Sequence, residues 1–434
     1  MVANHQQAHS DSAMIHVFKF GGASVKDADG IKNLVRIIEF NRDKKLLVVV
    51  SAMGKTTNAL EELTQAYTAR HENTLELFEA IKGYHLNIIS ELFPDKSHSI
   101  YDEIENSFVE IEWILEDEPQ DEYDFIYDQL VSMGELLSTR IVNAYLNHAG
   151  LNSKWLDARS FIHTDNTYRE GKVDWPKTRK AIESAIPQLL DSQIAITQGF
   201  IGGTSENFTT TLGREGSDYT AAIFASCLQA EAVTIWKDVP GVLNADPKLF
   251  ANTVKYEELS YRDALEMTFY GATVIHPKTI KPLQNAKIPL MVKPFMSPLE
   301  SGTCIKESDV VIDNPAIIVK GNQILMSLST PDLSFITEDH LYNLYGIFAA
   351  QHIKINMMQL SASSYSACFD ADESRFASLV AALEDKFRLR YNSNLKLVTI
   401  RHFNKDVISR ITQNKTVLLE QISRHTAQMV IKDV

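Results

Sequence analysis

Residues Thr209–Ala222 read TTTLGREGSDYTAA, a hydroxyl-rich stretch with two glycines at the start of an apolar, alanine-rich helix. Ser217 or Asp218 is predicted to cap that helix, because short polar side chains accept the unpaired N–H groups of a first turn. Exposed N–H groups at a helix start also bind anions, and the guanidinium of Arg214 suits a carboxylate or a phosphate. By itself the stretch is equally compatible with a capped, solvated loop, so the rest of the chain must decide.

The chain before and after this stretch alternates short apolar runs with helical patterns. The strand candidates are MIHVFKF, KLLVVVSAM, SQIAITQGF, AVTIW and IPLMV. The β-branched run at Leu46–Val50 is typical of a strand that is buried on both faces. Two long helices are expected within Glu72–Glu118, followed by another that carries VSMGELLSTR. This alternation predicts an α/β domain with a mostly parallel sheet.

The pattern changes after PFMSPLESGT, which has the Pro, Ser and Gly content of a domain end. A β-α-β-β-α series follows, with helices expected over Glu338–His352 and Glu373–Phe387. The series begins again with LKLVTIRHF and a helix over Lys405–His425, which makes a weak repeat at roughly seventy residues. Small split β-α-β units of this kind pair into shared sheets.

Composition excludes several classes of protein. The chain has 434 residues, enough for two or more domains, and is 44% hydrophobic and 23% charged, as in ordinary globular proteins. A net charge of −14 argues against nucleic acid or an anionic membrane as a partner. No stretch has the length of a membrane span, and the N-terminal residues lack the pattern of a signal peptide. The three cysteines are too few and too widely spaced for a disulfide framework or a metal site, so a cytoplasmic location is expected.

Two glycine loops follow neighbouring strands. The first strand ends in Lys19 and runs into Gly21, Gly22 and Ser24, which offers backbone N–H groups and one ammonium to a phosphate. The second loop, in VVVSAMGKTTN, carries Thr57. Each loop by itself is also compatible with a plain turn or a helix cap. Because both follow the carboxyl ends of strands, where open α/β sheets bind ligands, together they favour a site.

Two further segments carry candidate polar residues. Glu135 lies beside a glycine on the apolar helix of SMGELLSTR, where the alternative is an ordinary surface charge. The segment TIWKDVPGVLNADPKLF places Lys237, Asp238 and Lys248 after a strand. These three side chains are positioned either to hold a nucleotide or simply to turn the chain.

Taken in order, KFGGAS, GFIGG…TTTLGREGSDYTAA, DVPGV…ADP and GATVIHPKT resemble the aspartate kinases of the amino acid kinase family. The resemblance implies a three-layer α/β sandwich with a mostly parallel sheet over residues 14–303. It also implies a ferredoxin-like α+β regulatory region of the ACT type over residues 316–434, with one full and one partial module.

The same resemblance implies a reaction. An aspartate kinase transfers the γ-phosphoryl group of ATP, with Mg²⁺, to the β-carboxylate of L-aspartate and forms 4-phospho-L-aspartate, the first step towards lysine, threonine and methionine. Two alternatives stay open at this point. One is another kinase of this fold, such as acetylglutamate kinase, and the other is a catalytically dead regulator that binds amino acids.

Residue roles also follow from the resemblance. Lys19 stabilises the transferred phosphoryl group, and Asp218 organises the cationic groups around it. The residues expected to bind the substrate are Thr57, Glu135, Arg214 and Ser217, of which Arg214 and Ser217 take the α-carboxylate. The residues expected to bind the nucleotide are Lys19, Gly21, Gly22, Ser24, Lys237, Asp238, Lys248 and Val274.

Three features depart from the family pattern. Thr273 stands where many aspartate kinases have a nucleotide-binding lysine, Leu243 stands where some have a tyrosine, and the second ACT-like unit is about half a module short. Lys237 occupies a position where many relatives have threonine, so its ammonium is a candidate to replace the lysine absent at 273. Asn356 is the candidate contact for a feedback amino acid, lysine or threonine, and a homodimer is expected through the ACT-like region.

Overall fold

Residues 14–272, 275–332 and 334–433 are described in a computed structural model of the chain. They form two compact units. The first comprises the described residues up to 242 together with 256–265 and 275–309, and the second comprises 243–255, 266–272 and 310–433. The segments 243–255 and 266–272, which the sequence places in the catalytic domain, thus group with the regulatory region by their contacts.

The first unit is built on a mostly parallel sheet. Its described strands are β1 (Ile15–Phe20), β2 (Lys45–Val50), β3 (Ser153–Leu156), β4 (Ile194–Gln198), β5 (Ile201–Gly203), β6 (Thr209–Thr211), β7 (Ala232–Lys237), β8 (Glu258–Ser260), β9 (Leu290–Pro294) and β10 (Thr303–Lys306). The main sheet of the described residues has the order β3-β4-β2-β1-β7-β9-β10-β8, and only the β9–β10 pair is antiparallel. Strands β5 and β6 form a separate hairpin.

Helices cover this sheet. They are α1 (Ala28–Glu39), α2 (Thr56–Thr68), α3 (Thr74–Leu92), α4 (Ile100–Glu116), α5 (Tyr123–Val131), α6 (Met133–His148), α7 (Trp175–Leu190), α8 (Gly216–Leu228), α10 (Pro277–Ala286) and α9 (Tyr261–Phe269), whose residues from 266 onward group with the second unit. Helices α3 and α4 occupy the range in which the sequence predicts two long helices. Leu46–Val50 of β2 is buried throughout, as its β-branched run predicts.

Helix α8 begins differently from the expectation. Its N-cap is Glu215 in a left-handed conformation, with a φ of 56° and no side-chain capping bond. Ser217 and Asp218 lie inside the first turn and are buried, so the prediction that one of them caps the helix is wrong. Asp218 uses its carboxylate to bind two lysines instead, which leaves it unavailable as a cap.

The second unit contains an antiparallel sheet. Its elements are β11 (Ala316–Ser329), α11 (Glu338–Ala350), β12 (Ile355–Leu360), β13 (Ser364–Asp370), α12 (Glu373–Leu383), β14 (Arg388–Arg401), α13 (Lys405–Thr412), β15 (Lys415–Ile422) and β16 (Thr426–Asp433). The strand order in the described residues is β12-β13-β11-β14-β16-β15. The strands β11 and β14 are long enough to serve both repeats.

The helix predicted over Lys405–His425 is wrong in its second half. Helix α13 ends at Thr412, and the chain turns at Asn414, whose φ of 57° is left-handed. The following residues pair with β16 as strand β15. A left-handed residue interrupts helical hydrogen bonding, and β-branched Thr416 and Val417 favour the strand that follows.

The second repeat is more complete than its sequence indicates. The first half of β11 pairs with the second half of β14, and Ile317 of β11 packs with Ile400, Ile411 and Met429. A strand from the beginning of the unit therefore completes the sheet of the second repeat. Among the residues that the structure describes, this repeat has one helix, α13, where the first repeat has α11 and α12.

One buried histidine makes the first unit sensitive to acid. His85 in α3 contacts the carbonyl of Ile81 through Nδ1 at 2.8 Å, while Nε2 has no partner among the described residues. Burial lowers the pKa of His85 to about 4. Because the unfolded chain binds a proton near pH 6.5, stability from this group is present above that value and is lost as the pH falls towards 4.

We expect the free energy of unfolding to fall by about 2 kcal/mol through His85 between about pH 7.5 and about pH 5. In the His85→Leu variant this part of the loss should disappear, because the side chain no longer takes up a proton. Denaturant unfolding at both pH values measures it, with His71→Gln at an exposed position as the control. An equally steep loss in His85→Leu would contradict the assignment.

Candidate active site

A buried carboxylate between two lysines is the central feature of the first unit. Lys19 and Lys237 lie on the neighbouring parallel strands β1 and β7, near their carboxyl ends. Asp218 lies in the first turn of α8 and is fully buried. Its Oδ1 is 2.7 Å from Lys19 Nζ, and its Oδ2 is 3.5 Å from Lys237 Nζ. The structure thus brings three predicted site residues together.

The two ammonium groups decide the charge of Asp218. Burial by itself would raise the pKa of this carboxyl, but Lys19 and Lys237 outweigh it and hold the pKa below its ordinary value. The carboxylate is therefore ionised, and it orients two cations at the edge of the sheet. An anion placed there would meet two positive charges and the N-terminus of α8.

The two glycine loops predicted from the sequence are in contact. The N–H of Gly54 donates to the carbonyl of Gly22 at 3.0 Å. A Cβ on Gly22 would lie 2.7 Å from the carbonyl oxygen of Ala52, so this position requires glycine. A Cβ on Gly21 would lie 3.4 Å from Lys19 Nζ. The first loop therefore runs directly beside the lysine, and Ser24 is buried behind it.

Glu135 is a buried carboxyl with one free oxygen. It lies in the first turn of α6, and its Oε1 accepts the N–H of Ala52 at 3.3 Å, while Oε2 has no partner among the described residues. Burial raises the pKa of Glu135 to about 8 against the weaker opposing influence of the Ala52 N–H and Lys19. A fully buried acid with an unused oxygen is well suited to receive a cationic group.

The remaining substrate candidates lie on the segments around this centre. Ser217 is buried against Gly199, where a Cβ on the glycine would overlap the serine. Arg214 is exposed and lies between Gly213 and Glu215, both of which have positive φ. Thr57 is half-buried in the first turn of α2. The substrate-binding roles of Arg214 and Thr57 stay predictions.

The nucleotide candidates are divided among the parts of the chain. Asp238 directly follows β7 and is exposed, whereas Lys248 lies in the segment 243–255, which groups with the second unit. Val274, predicted to contact the nucleotide, and Thr273, the position of the absent lysine, lie outside the described residues.

The regulatory candidate Asn356 lies on β12 in a polar cluster. Its Oδ1 accepts from Lys320 Nζ at 2.9 Å, and its Nδ2 donates to Gln323 Oε1 at 2.9 Å and to Asp370 Oδ1 at 3.0 Å. The amide is therefore fully engaged within the second unit, and a ligand that binds Asn356 would exchange one of these partners.

Sequence reasoning missed His276, although GATVIHPKT contains it. Its side chain caps α10 by accepting the N–H of Lys278 at 3.2 Å. Burial, followed by the charge of Lys278, lowers the pKa of His276, and the charges of Arg214 and Asp218 also act on it. The signal available in the sequence was His before Pro at a helix start, which indicates a cap.

The described part of the chain has neither a candidate metal site nor a candidate membrane span. Among those residues, no three or more His, Cys, Asp and Glu side chains gather in a way that could hold a metal ion. None of the described helices is long and apolar enough to cross a membrane.

Known proteins with similar sequences identify the family of the chain. The chain matches the amino acid kinase family over residues 14–294. It is 30% identical to lysine-sensitive aspartokinase 3 of Escherichia coli over 398 residues, which cover 89% of this chain and 86% of that protein. The chain belongs to the aspartokinases of the amino acid kinase family. The expected family is therefore confirmed.

Solved structures of other aspartokinases have the same fold. E. coli aspartokinase III in complex with lysine and aspartate aligns with a TM-score of 0.81 at 28% identity, over 96% of this chain and 95% of that one. The same enzyme with aspartate and ADP aligns with a TM-score of 0.80 at 27% identity, over 96% of both chains. The predicted fold class, including the C-terminal antiparallel region, is confirmed. The chain spans 42% of the bifunctional aspartokinase/homoserine dehydrogenase 2 of Arabidopsis thaliana.

Glu135 is expected to destabilise this aspartokinase at neutral pH. The unfolded chain releases its proton near pH 4.5, whereas the folded chain holds it up to about pH 8, so stability is lost as the pH rises between these values. In Glu135→Gln this loss, roughly 3 kcal/mol between about pH 5 and about pH 7.5, should vanish. Unfolding at both pH values measures it, and exposed Glu79→Gln is the control. A parallel pH dependence in wild type and Glu135→Gln would rule the assignment out.

Proposed function

We propose that the chain transfers the γ-phosphoryl group of ATP to the β-carboxylate of L-aspartate at the Asp218 centre. A β-carboxylate oxygen forms the new bond to phosphorus, the bond from the γ-phosphorus to its bridging oxygen breaks, and ADP leaves with that oxygen. The observation that carries the proposal is the pair of ammonium groups, Lys19 and Lys237, held by one buried carboxylate at the carboxyl ends of β1 and β7.

This arrangement suits the demands of the reaction. A carboxylate nucleophile is already ionised at neutral pH, so no general base is required. The barrier lies in the repulsion between two anions and in their alignment, which fixed cations and backbone N–H groups reduce. Lys19 would stabilise the phosphoryl group in transfer, and Asp218, an acceptor of both lysines, would hold the cations in place.

The amino acid would be bound at both of its charged ends. Arg214, with Ser217, would bind the α-carboxylate, and a bidentate guanidinium–carboxylate pair is a strong hydrogen-bonding arrangement. Glu135, with Thr57, would receive the α-ammonium, since its Oε2 is buried and has no partner among the described residues. Since burial raises the pKa of Glu135 to about 8, ammonium binding would release the proton that this carboxyl holds at neutral pH.

The nucleotide would lie along the glycine loop. Gly21, Gly22 and Ser24 would present backbone N–H groups to the phosphates, with Asp238, Lys248 and Val274 as further candidates. Mg²⁺ would enter bound to the phosphates, because magnesium in kinase sites is held by few carboxylates and mostly by phosphate and water. The exposed carboxylate of Asp238 fits that limited role.

The Lys237 ammonium would replace the lysine absent at position 273. A point charge on a flexible stem can serve the same phosphate from a different loop. Lys237 Nζ lies 3.5 Å from Asp218, whose other oxygen holds Lys19, so its charge is directed at the same centre.

Lys237→Thr should raise the KM for ATP or lower kcat about tenfold or more, and Thr273→Lys in the same chain should recover part of the loss. Steady-state kinetics in a double-mutant cycle measures both. Lys293→Thr is the matched control. It removes a lysine of the neighbouring strand β9 whose Nζ lies 5.4 Å from the centroid of the Trp236 ring and which is not a predicted site residue. If Lys237→Thr has wild-type kinetics, or if the double variant recovers nothing, Lys237 does not replace the lysine absent at position 273.

Trapping the product tests the reaction itself. With ATP, Mg²⁺ and L-aspartate the chain should form an acyl phosphate that hydroxylamine converts to a hydroxamate, and Asp218→Asn should reduce its rate by at least about 100-fold. Faster product formation from glutamate or acetylglutamate would favour another kinase of this fold. Binding of L-aspartate without any formation of aspartyl phosphate would favour the catalytically dead regulator.

Regulation and assembly are proposed from the second unit. A feedback amino acid, lysine or threonine, would bind near Asn356. A homodimer would cover the edge strand β12, where Met358 and Leu360 are exposed apolar side chains. The cytoplasmic location stays a prediction of the sequence.

A further inference from the structure

Helix α5 holds the short strand β6 through side-chain hydrogen bonds. Strand β6 pairs with β5 on one edge, where Thr210 lies opposite Gly202, and the backbone groups of Thr209 and Thr211 face the other side. On the other side, Gln129 donates Nε2–H to the carbonyl of Thr209 at 2.9 Å and accepts its N–H at 3.2 Å. Asp128 accepts the N–H of Thr211 at 2.9 Å and its hydroxyl at 2.7 Å. Two adjacent side chains of α5 thus supply the hydrogen bonds that a neighbouring strand would provide.

Asp128 also binds the loop that lies against the substrate segment. Its Oδ2 accepts the N–H of Arg169 at 2.8 Å, in a residue whose φ of 66° is left-handed. The same loop bonds to β6 directly, because the N–H of Gly171 donates to the carbonyl of Thr211 at 2.8 Å. A Cβ on Gly213 would lie 3.2 Å from the carbonyl oxygen of Arg169. The loop and β6 therefore form one layer, clamped by a fully buried carboxyl group.

Asp128 is connected to both halves of the proposed amino acid pocket, the Glu135 side and the Arg214 side. Helix α5 is followed by α6 after a single residue, so Asp128 and Glu135 lie on consecutive helices. Strand β6 ends at Thr211 and leads through Gly213 into Arg214. The proposed reaction does not use Asp128 itself. Burying a carboxyl group is nevertheless costly unless hydrogen bonds or opposite charges compensate it.

We propose that Asp128 is a positioning residue for the amino acid substrate. It fixes the segment that carries Arg214 relative to the helix that carries Glu135, and so sets the place of the substrate α-carbon between them. This inference rests on the proposed function. Lys19, Asp218 and Lys237 are joined by their own ion pairs, so the phosphoryl end of the site does not depend on this clamp.

Three variants test the clamp by steady-state kinetics and thermal unfolding. Asp128→Ala should raise the KM for L-aspartate about tenfold or more, while the KM for ATP stays within about twofold. Asp128→Asn should stay near wild type, since an amide oxygen can accept both N–H groups while its NH₂ donates to the Thr211 hydroxyl. Gln129→Ala should raise the aspartate KM about threefold, because it leaves the bonds of Asp128 in place and removes those to Thr209, together with one bond to the Phe125 carbonyl within α5.

Thr64→Val is the control for lost stability. It removes a buried hydroxyl that donates to the carbonyl of Leu60 at 2.7 Å within α2, so it should lower the Tm and leave both KM values unchanged. Asp128→Ala with a lower Tm and a wild-type aspartate KM would overturn the proposal. If Asp128→Ala does not fold, Gln129→Ala decides, and a wild-type aspartate KM in that variant overturns the proposal equally.

Failure of the proposed function would be recognised separately. Wild type would then form no aspartyl phosphate. Calorimetric titration would still measure the affinity of L-aspartate for wild type, for Gln129→Ala and for Asp128→Asn. Weaker binding in Gln129→Ala with retained binding in Asp128→Asn supports the clamp. Equal binding in Gln129→Ala and wild type refutes it.

Discussion

The ion pairs of Asp218 constrain the whole first unit. A carboxylate with no exposure is tolerated in a protein interior only when cations or hydrogen bonds compensate it, and here two ammonium groups do so. Lys19 and Lys237 can both reach it because β1 and β7 are parallel neighbours that end at the same edge of the sheet. Asp218 reaches both lysines from the first turn of α8, which begins after the left-handed residue Glu215.

Three buried carboxyl groups of this unit differ in how they are satisfied. Asp218 is compensated by cations, and Asp128 by two N–H groups and one hydroxyl. Glu135 has a single backbone donor and an oxygen without a partner among the described residues, and burial raises its pKa to about 8. An incompletely satisfied acid destabilises a fold, which agrees with the proposed role of Glu135 in binding a cationic group.

The two repeats of the second unit share two long strands, β11 and β14, where separate modules would each need strands of their own. Because β11 and β14 pair along their length, one half of each strand belongs to the first repeat and the other half to the second. The unit also includes residues 243–255, whose Ala245 and Phe250 pack with Ile317 and Ile411. That segment follows Lys237 and Asp238 closely in the sequence. The chain after the proposed nucleotide loop is therefore part of the core of the second unit.

The sequence by itself determined the α/β class, the buried strand β2, the two loops at strand ends and the family. These features rest on local periodicity and on motifs whose residues are close together along the chain. It did not determine the N-cap of α8 or the end of α13, because a left-handed residue at Glu215 or Asn414 leaves no periodic signal. The bond between Lys237 and Asp218, the unpartnered oxygen of Glu135 and the clamp at Asp128 were decided only by tertiary structure. Each depends on burial and on contacts between residues distant in sequence, since the energy of a buried polar group is set by the partners that the fold brings to it.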